Sequence, residues 1–110
     1  MEKIKKYQSL ILDMLKPYER TSGLIETCIV SDTQNHHYQI MESGWQDKNT
    51  YYFNTPIHLH IKPDGKIWIL ENKTEDDIAL LLVERGVDKS DIVLNFIPER
   101  VRQYSGFATA

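Results

Sequence analysis

A single cysteine, Cys28, stands among the 110 residues. That excludes an internal disulfide and, with no secretory leader recognisable at the N-terminus, predicts a protein of the reducing cytoplasm. No run of about 18 apolar residues occurs, so the sequence offers no membrane-spanning helix. The five glycines are scattered singly, which leaves no glycine-rich loop to cradle phosphate. Excess positive charge is missing as well. A formal net charge of -3 and an isoelectric point near 5.8 have the wrong sign for a broad grip on a phosphate backbone. Direct nucleic-acid binding is disfavoured, and the two small basic clusters, Lys3/Lys5/Lys6 and Arg100/Arg102, read as solvated surface.

What is present is ordinary globular material, 41% hydrophobic and 26% charged. A chain of this length forms one domain, residues 1–110, and folding removes about 65% of its accessible surface. Ile4, Tyr7, Leu10, Ile11, Met14 and Leu15 recur at steps of three and four, which predicts an amphipathic helix from Glu2 to Lys16 that Pro17 stops. Leu24 to Val30 is rich in β-branched residues and reads as a strand, with a turn at Asp32 to Asn35 and an antiparallel partner at His37 to Trp45. Tyr51 to Ile61 is the longest strand candidate, and Pro56 within it implies an edge, a bulge or a break. Thr74 with the acidic run Glu75-Asp76-Asp77 predicts a capped helix over Glu75 to Arg85, closed by Gly86. Asp88 to Asp91 caps a further turn, Ile92 to Phe96 reads as a short strand, and Pro98 to Tyr104 as one or two helical turns. The expected fold is α+β: an antiparallel sheet of four to five strands with the N-terminal helix and a second helix on one face.

The segment Lys62-Pro63-Asp64-Gly65-Lys66 allows two hairpin registers. A two-residue Asp64-Gly65 loop sets Ile61 opposite Trp68; a type I turn with Gly65 as a left-handed bulge sets Ile61 opposite Ile67 and Leu59 opposite Ile69. The second is favoured, because it segregates Leu59, Ile61, Ile67 and Ile69 on one face and His58, His60, Trp68 and Leu70 on the other.

Pro63-Asp64 followed by Glu71-Asn72-Lys73 spells the elements of a metal-dependent nuclease, whose two carboxylates must converge on one ion. Seven residues of extended strand, at about 3.3 Å each, hold Asp64 and Glu71 roughly 23 Å apart. His58 and His60 share a sheet face, with His36 and His37 elsewhere, but a zinc site needs a third and usually a fourth ligand, and none is recognisable. Cys28 lies within a predicted strand, and neither Ser90 nor Ser105 has a nucleophile-elbow context. No catalytic residue, metal ligand or cofactor site is therefore assigned.

The more informative feature is apolar surface. If helices cover the isoleucine face, then His58, His60, Trp68 and Leu70, with Tyr52 beside them, meet solvent or a partner unless the first helix or the C-terminal segment covers them. Arg102, Tyr104 and Phe107 in the aromatic tail complete the candidate interface, and the expected consequence is self-association as a homodimer.

A set of ordered blocks carries a family resemblance: His37-Tyr38-Gln39, Gly44-Trp45, Ile57-His58, Asp64-Gly65-Lys66-Ile67-Trp68-Ile69, Thr74-Glu75, Ile78-Ala79, Gly86-Val87, Lys89-Ser90-Asp91-Ile92-Val93-Leu94, Arg102-Gln103-Tyr104 and Phe107-Ala108. These resemble the XisI family, the fdxN element excision controlling factor proteins of cyanobacteria. Departures fall at Asp88, where proline is usual, at Asn95, where a small residue is usual, and at Asn72-Lys73 in the turn before Thr74. The resemblance implies a small α+β domain that regulates programmed DNA excision beside a site-specific recombinase and the companion protein XisH. It brings no catalytic residues. The leading expectation is a regulatory protein acting through protein contacts. The alternatives are a nuclease-associated subunit whose site a partner completes, and a DNA-binding recombination directionality factor.

Overall fold

The structure is a computed structural model that describes residues 2–110. Helix α1 spans Glu2–Leu15 and ends in a single 3-10 turn, Lys16–Tyr18, where Pro17 cannot continue the hydrogen-bond ladder. Six strands follow among the described residues: β1 Arg20–Ser22, β2 Ile25–Asp32, β3 His37–Trp45, β4 Tyr51–Ile61, β5 Ile67–Asn72 and, after helix α2 (Ile78–Glu84) and the short turn Lys89–Asp91, β6 Ile92–Leu94. Helix α3, Glu99–Arg102, precedes the tail.

The strands lie in sequence order in one sheet. All neighbours are antiparallel except β5 and β6, which are parallel because α2 carries the chain back between them. The expected all-antiparallel sheet of four to five strands is thus a mixed sheet of six. Strand β1 escapes sequence reading since Arg20, Thr21 and Ser22 are all exposed and carry no apolar alternation.

One face of the sheet holds the core. Tyr38 and Ile40 of β3, Ile57, Leu59 and Ile61 of β4, and Ile67 and Ile69 of β5 are buried against Tyr7, Ile11, Met14 and Leu15 of α1 and Ile78, Ala79 and Leu82 of α2. Each such aliphatic side chain contributes on the order of 1.5–3 kcal/mol when fully buried. The β4–β5 hairpin adopts the favoured register, with Ile61 opposite Ile67 and Leu59 opposite Ile69. Gly65 (φ 89°) supplies the left-handed bulge, its N–H donates to the Lys62 carbonyl, and Asp64 Oδ1 accepts from the Lys66 N–H.

Helix α2 starts later than expected. Asp77, not Thr74, is its N-cap: the Asp77 carboxylate accepts from the Leu80 N–H at 3.1 Å. Thr74 is engaged with the end of β5 instead, donating through both its N–H and its hydroxyl to Asn72 Oδ1. Holding residues 72–76 in that turn leaves seven helical residues rather than eleven. The helix closes at Gly86 as expected, with the Val87 N–H donating back to Leu82.

Candidate functional site

The opposite face of the sheet is where the sequence placed its interface, and two irregularities decide which residues reach it. Alternation from His37 along β3 puts His37, Gln39, Met41, Ser43 and Trp45 there, and the β2 partners Cys28 and Val30 pair with Met41 and Gln39. On β4, His60 and His58 pair with His37 and Gln39. Between Ile40/Ile57 and Glu42/Asn54, β3 advances two residues and β4 three, so β4 bulges at Thr55-Pro56. Pro56 has no N–H for the ladder, which is why the extra residue is accommodated there.

That bulge reverses the face of everything before it. Tyr52 and Asn54 turn toward the helix side, where both donate to Glu42 Oε1, at 3.1 and 3.2 Å. Tyr52 therefore does not join His58 and His60, contrary to the expectation from simple alternation. Phe53 and Tyr51 take its place. Trp45 packs edge-on against Tyr51, with ring centroids 5.2 Å apart, and Phe53 is 60% exposed. The warning was present in Pro56, but a proline alone does not tell a bulge from an edge.

At the other end of this face the histidines form a cluster. His37 stacks on His60 with centroids 3.9 Å apart, and His37 Nδ1 lies 3.0 Å from His58 Nε2. Loss of water lowers the basicity of His58 and His60, and the neighbouring His37 adds to it in both. His36, with a left-handed φ of 60°, leaves the cluster and bonds the Tyr38 hydroxyl at 2.8 Å. Among the described residues no group of three or more His, Cys, Asp or Glu side chains is arranged to hold a metal ion. Asp64 and Glu71 stand at opposite ends of β5, Asp64 in the turn and Glu71 paired with His58.

The C-terminal segment closes one side of the face. Val93, paired with Trp68, is fully buried. The Arg102 guanidinium lies 5.5 Å from the Trp68 ring and the Lys62 ammonium 3.6 Å from it, so the indole is flanked by two cations. Its Nε1 is buried with no hydrogen-bond partner among the described residues. Arg102, expected at the interface, is only 9% exposed and donates to the carbonyls of Leu94, Asn95, Ile97 and Thr109. The tail docks as expected of an aromatic terminus: Ala108 bridges Val93 and donates to the Ile92 carbonyl, and Phe107 packs against the core. Tyr104 is 80% exposed. Leu70 is half-buried at a second bulge, where β5 advances two residues from Ile69 to Glu71 against one step on β4.

The face that stays open is therefore centred on Cys28, Val30, Met41 and Phe53, none of which packs into the core. It is bounded by imidazoles at one end, by Trp45 and Tyr51 at the other, and by the Trp68–Arg102 cover along one side. No helix among the described residues is long and apolar enough to cross a membrane.

This architecture is shared with solved structures. A XisI-like protein from Anabaena variabilis ATCC 29413 superposes with a TM-score of 0.88 at 37% identity, covering 97% of this chain and 99% of that one. The fdxN element excision controlling factor XisI from the same organism superposes with a TM-score of 0.81 at 27% identity, over 98% and 99% of the two chains. Functionally curated proteins give no match. The model of the XisI protein family matches residues 1–109, and with the shared fold at 37% identity it shows that this chain belongs to the XisI family.

Proposed function

We propose that this protein is a controlling factor for excision of a DNA element, and that it acts by binding proteins rather than by gripping DNA. The relative named as an fdxN element excision controlling factor supports the first half. The observation that supports the second is the open sheet face. Its centre carries Cys28, Val30, Met41 and Phe53 without one charged side chain, which suits a desolvated protein contact and not a phosphate backbone. The net charge of -3 argues the same way. The partners in this reading are a site-specific recombinase, an XisH-like protein, or both.

Co-purification with each partner tests it, comparing the wild type with Met41→Lys and Tyr52→Phe. Met41→Lys plants a charge in the contact and is expected to reduce partner recovery at least about tenfold, because an unpaired buried charge costs several kcal/mol. Tyr52→Phe, on the helix side, is expected to leave recovery unchanged. A gel shift of excision-site DNA by the protein alone at physiological salt would replace this reading with direct DNA binding.

A further inference from the structure

The open face has three properties that together restrict its occupant. The first is shape. On the β5–β6 side Val93 is fully buried, Ala108 bridges it, and the Arg102 guanidinium of α3 lies 5.5 Å from the Trp68 ring, while Cys28 and Val30 on β2 lie outside the core packing. The face is thus walled along one side. The second is charge. Glu26 and Asp32 alternate onto this face at the β2 margin, whereas Lys62 and Arg102 stand by Trp68 at the opposite margin; Glu71, opposite His58, is the acidic group on that side. The third is polarity along the strands, with imidazoles at one end and Trp45 and Tyr51 at the other.

A copy of the same chain satisfies all three in one orientation. Rotation by half a turn about an axis lying in the face and parallel to the strands, between β3 and β4, puts the wall of each copy beyond the β1–β2 margin of the other, where the three-residue β1 flanks only Ile25 to Thr27. The same rotation brings the acidic margin at Asp32 toward the basic margin at Lys62, and sets the aromatic end on the aromatic end. An axis across the strands would drive wall against wall. Size is adequate: nine residues of β3 at about 3.3 Å and four strands at about 4.8 Å give roughly 30 by 19 Å in plan, before side-chain relief. That approaches the roughly 800 Å² of accessible surface per partner that a stable pair buries.

We propose that a second copy of this chain packs face to face on β2–β5 about a two-fold axis parallel to the strands, and that protonation of His58 and His60 at one end of the face releases it. The inference rests on the open face being a protein interface; the second copy covers it in the free protein, so that copy and the protein partner are alternative occupants of one face. His37, His58 and His60 of both copies meet near the axis. Asp32 faces His37 from β2 and Lys62 faces His60 from the β4–β5 turn, while Glu71 faces His58 from β5 and His36 stands beside the cluster on the β2–β3 turn. Once His58 and His60 are protonated they stand with Lys62 as three cations against the two carboxylates that face them, Asp32 and Glu71. Burial already favours neutral His58 and His60, and a second copy removes more water from them. The sign follows: His58 and His60 bind more protons in a free copy than in a pair, so association is complete at and above the ordinary imidazole value of 6.5 and is lost as pH falls through the lowered values these two side chains have in the free copy.

Light scattering on the purified protein, from about 10 to 100 µM at pH near 8 and near 5.5, tests both parts. The expected masses are twice 12.9 kDa at the higher pH and 12.9 kDa at the lower, with dissociation at least about tenfold easier in acid. A monomeric mass throughout at pH 8 overturns the pairing, and an unchanged dimer at pH 5.5 overturns the switch. Met41→Lys, with far-UV circular dichroism to establish folding, is expected to be monomeric at both. His58→Gln/His60→Gln is expected to stay dimeric in acid, and measuring the wild type across pH keeps the test decisive if either variant fails to fold. A monomeric wild type whose partner recovery still falls with Met41→Lys sinks the pairing and leaves the partner reading intact. Monomeric Met41→Lys with normal partner recovery supports the pairing and moves the partner to another surface.

Discussion

The Tyr7 hydroxyl donates to Asp91 Oδ2 across 2.7 Å, tying the first helix to the residue that precedes the last strand. Lys3 reaches the other oxygen of the same carboxylate at 2.9 Å. The two bonds differ in worth. Lys3 is half-exposed, so its ion pair contributes about 0–1 kcal/mol, whereas a buried phenol bonded to a carboxylate contributes about 1.5–3 kcal/mol. Tyr7→Phe is therefore expected to lower unfolding free energy more than Lys3→Met, and urea denaturation of the two variants checks the order.

Alkali should reveal the same bond. Burial first, and then the bond to Asp91, push the Tyr7 phenol up to about 12; burial and then Asp76 do the same for Tyr18. The folded-state values are raised, so the stabilisation is fully present below the ordinary value of 10.0 and is lost as pH rises toward 12. In a spectrophotometric titration of the six tyrosines, at least these two should ionise late and together with unfolding. Ionisation of all six near pH 10 in folded protein would contradict the assignment.

Gly44 is irreplaceable because the neighbouring backbone leaves no space for a side chain. A Cβ there would lie 2.0 Å from the Leu24 carbonyl oxygen, and its φ is 152°. Because the obstacle is backbone, relief requires parting β3 from the turn between β1 and β2. Gly44→Ala is expected to cost on the order of 3 kcal/mol, read as a lowered thermal midpoint.

The tail depends on one side chain. Arg102 donates to four carbonyls with a planar fork that lysine cannot reproduce. Arg102→Lys should cost roughly 2 kcal/mol or more and speed amide exchange at Ala108, whose N–H donates to Ile92. Unchanged exchange there would show that the β6 edge holds the tail by itself.

Helix α2 offers a comparison within one turn. Asp77→Ala removes the cap and is expected to cost about 1 kcal/mol, while exposed Glu75→Ala should be nearly silent. Equal costs would restore the longer helix starting after Thr74.

Much of this was legible without coordinates. Strands β3 and β4 begin and end where alternation said they would, since a half-buried strand writes its period into the sequence. The β4–β5 register was legible because only one turn placed four aliphatic residues on one side. Strand β1 was not, as three exposed polar residues pair through backbone alone. Nor was the partner of β6: an apolar triplet such as Ile92-Val93-Leu94 fits parallel or antiparallel neighbours equally.

The candidate site divides in the same way. Sequence by itself determined that His58, His60 and Trp68 share a face, because they lie within unbroken alternation on either side of a turn of known type. Only the tertiary structure decided that Tyr52 leaves that face, that Phe53 enters it, and that Arg102 turns inward to cover one side of it. The physical reason is that a bulge shifts side-chain phase by one residue wherever the ladder cannot be completed, and a buried guanidinium goes where unpaired carbonyls converge. Both are properties of the packed sheet and not of any single strand.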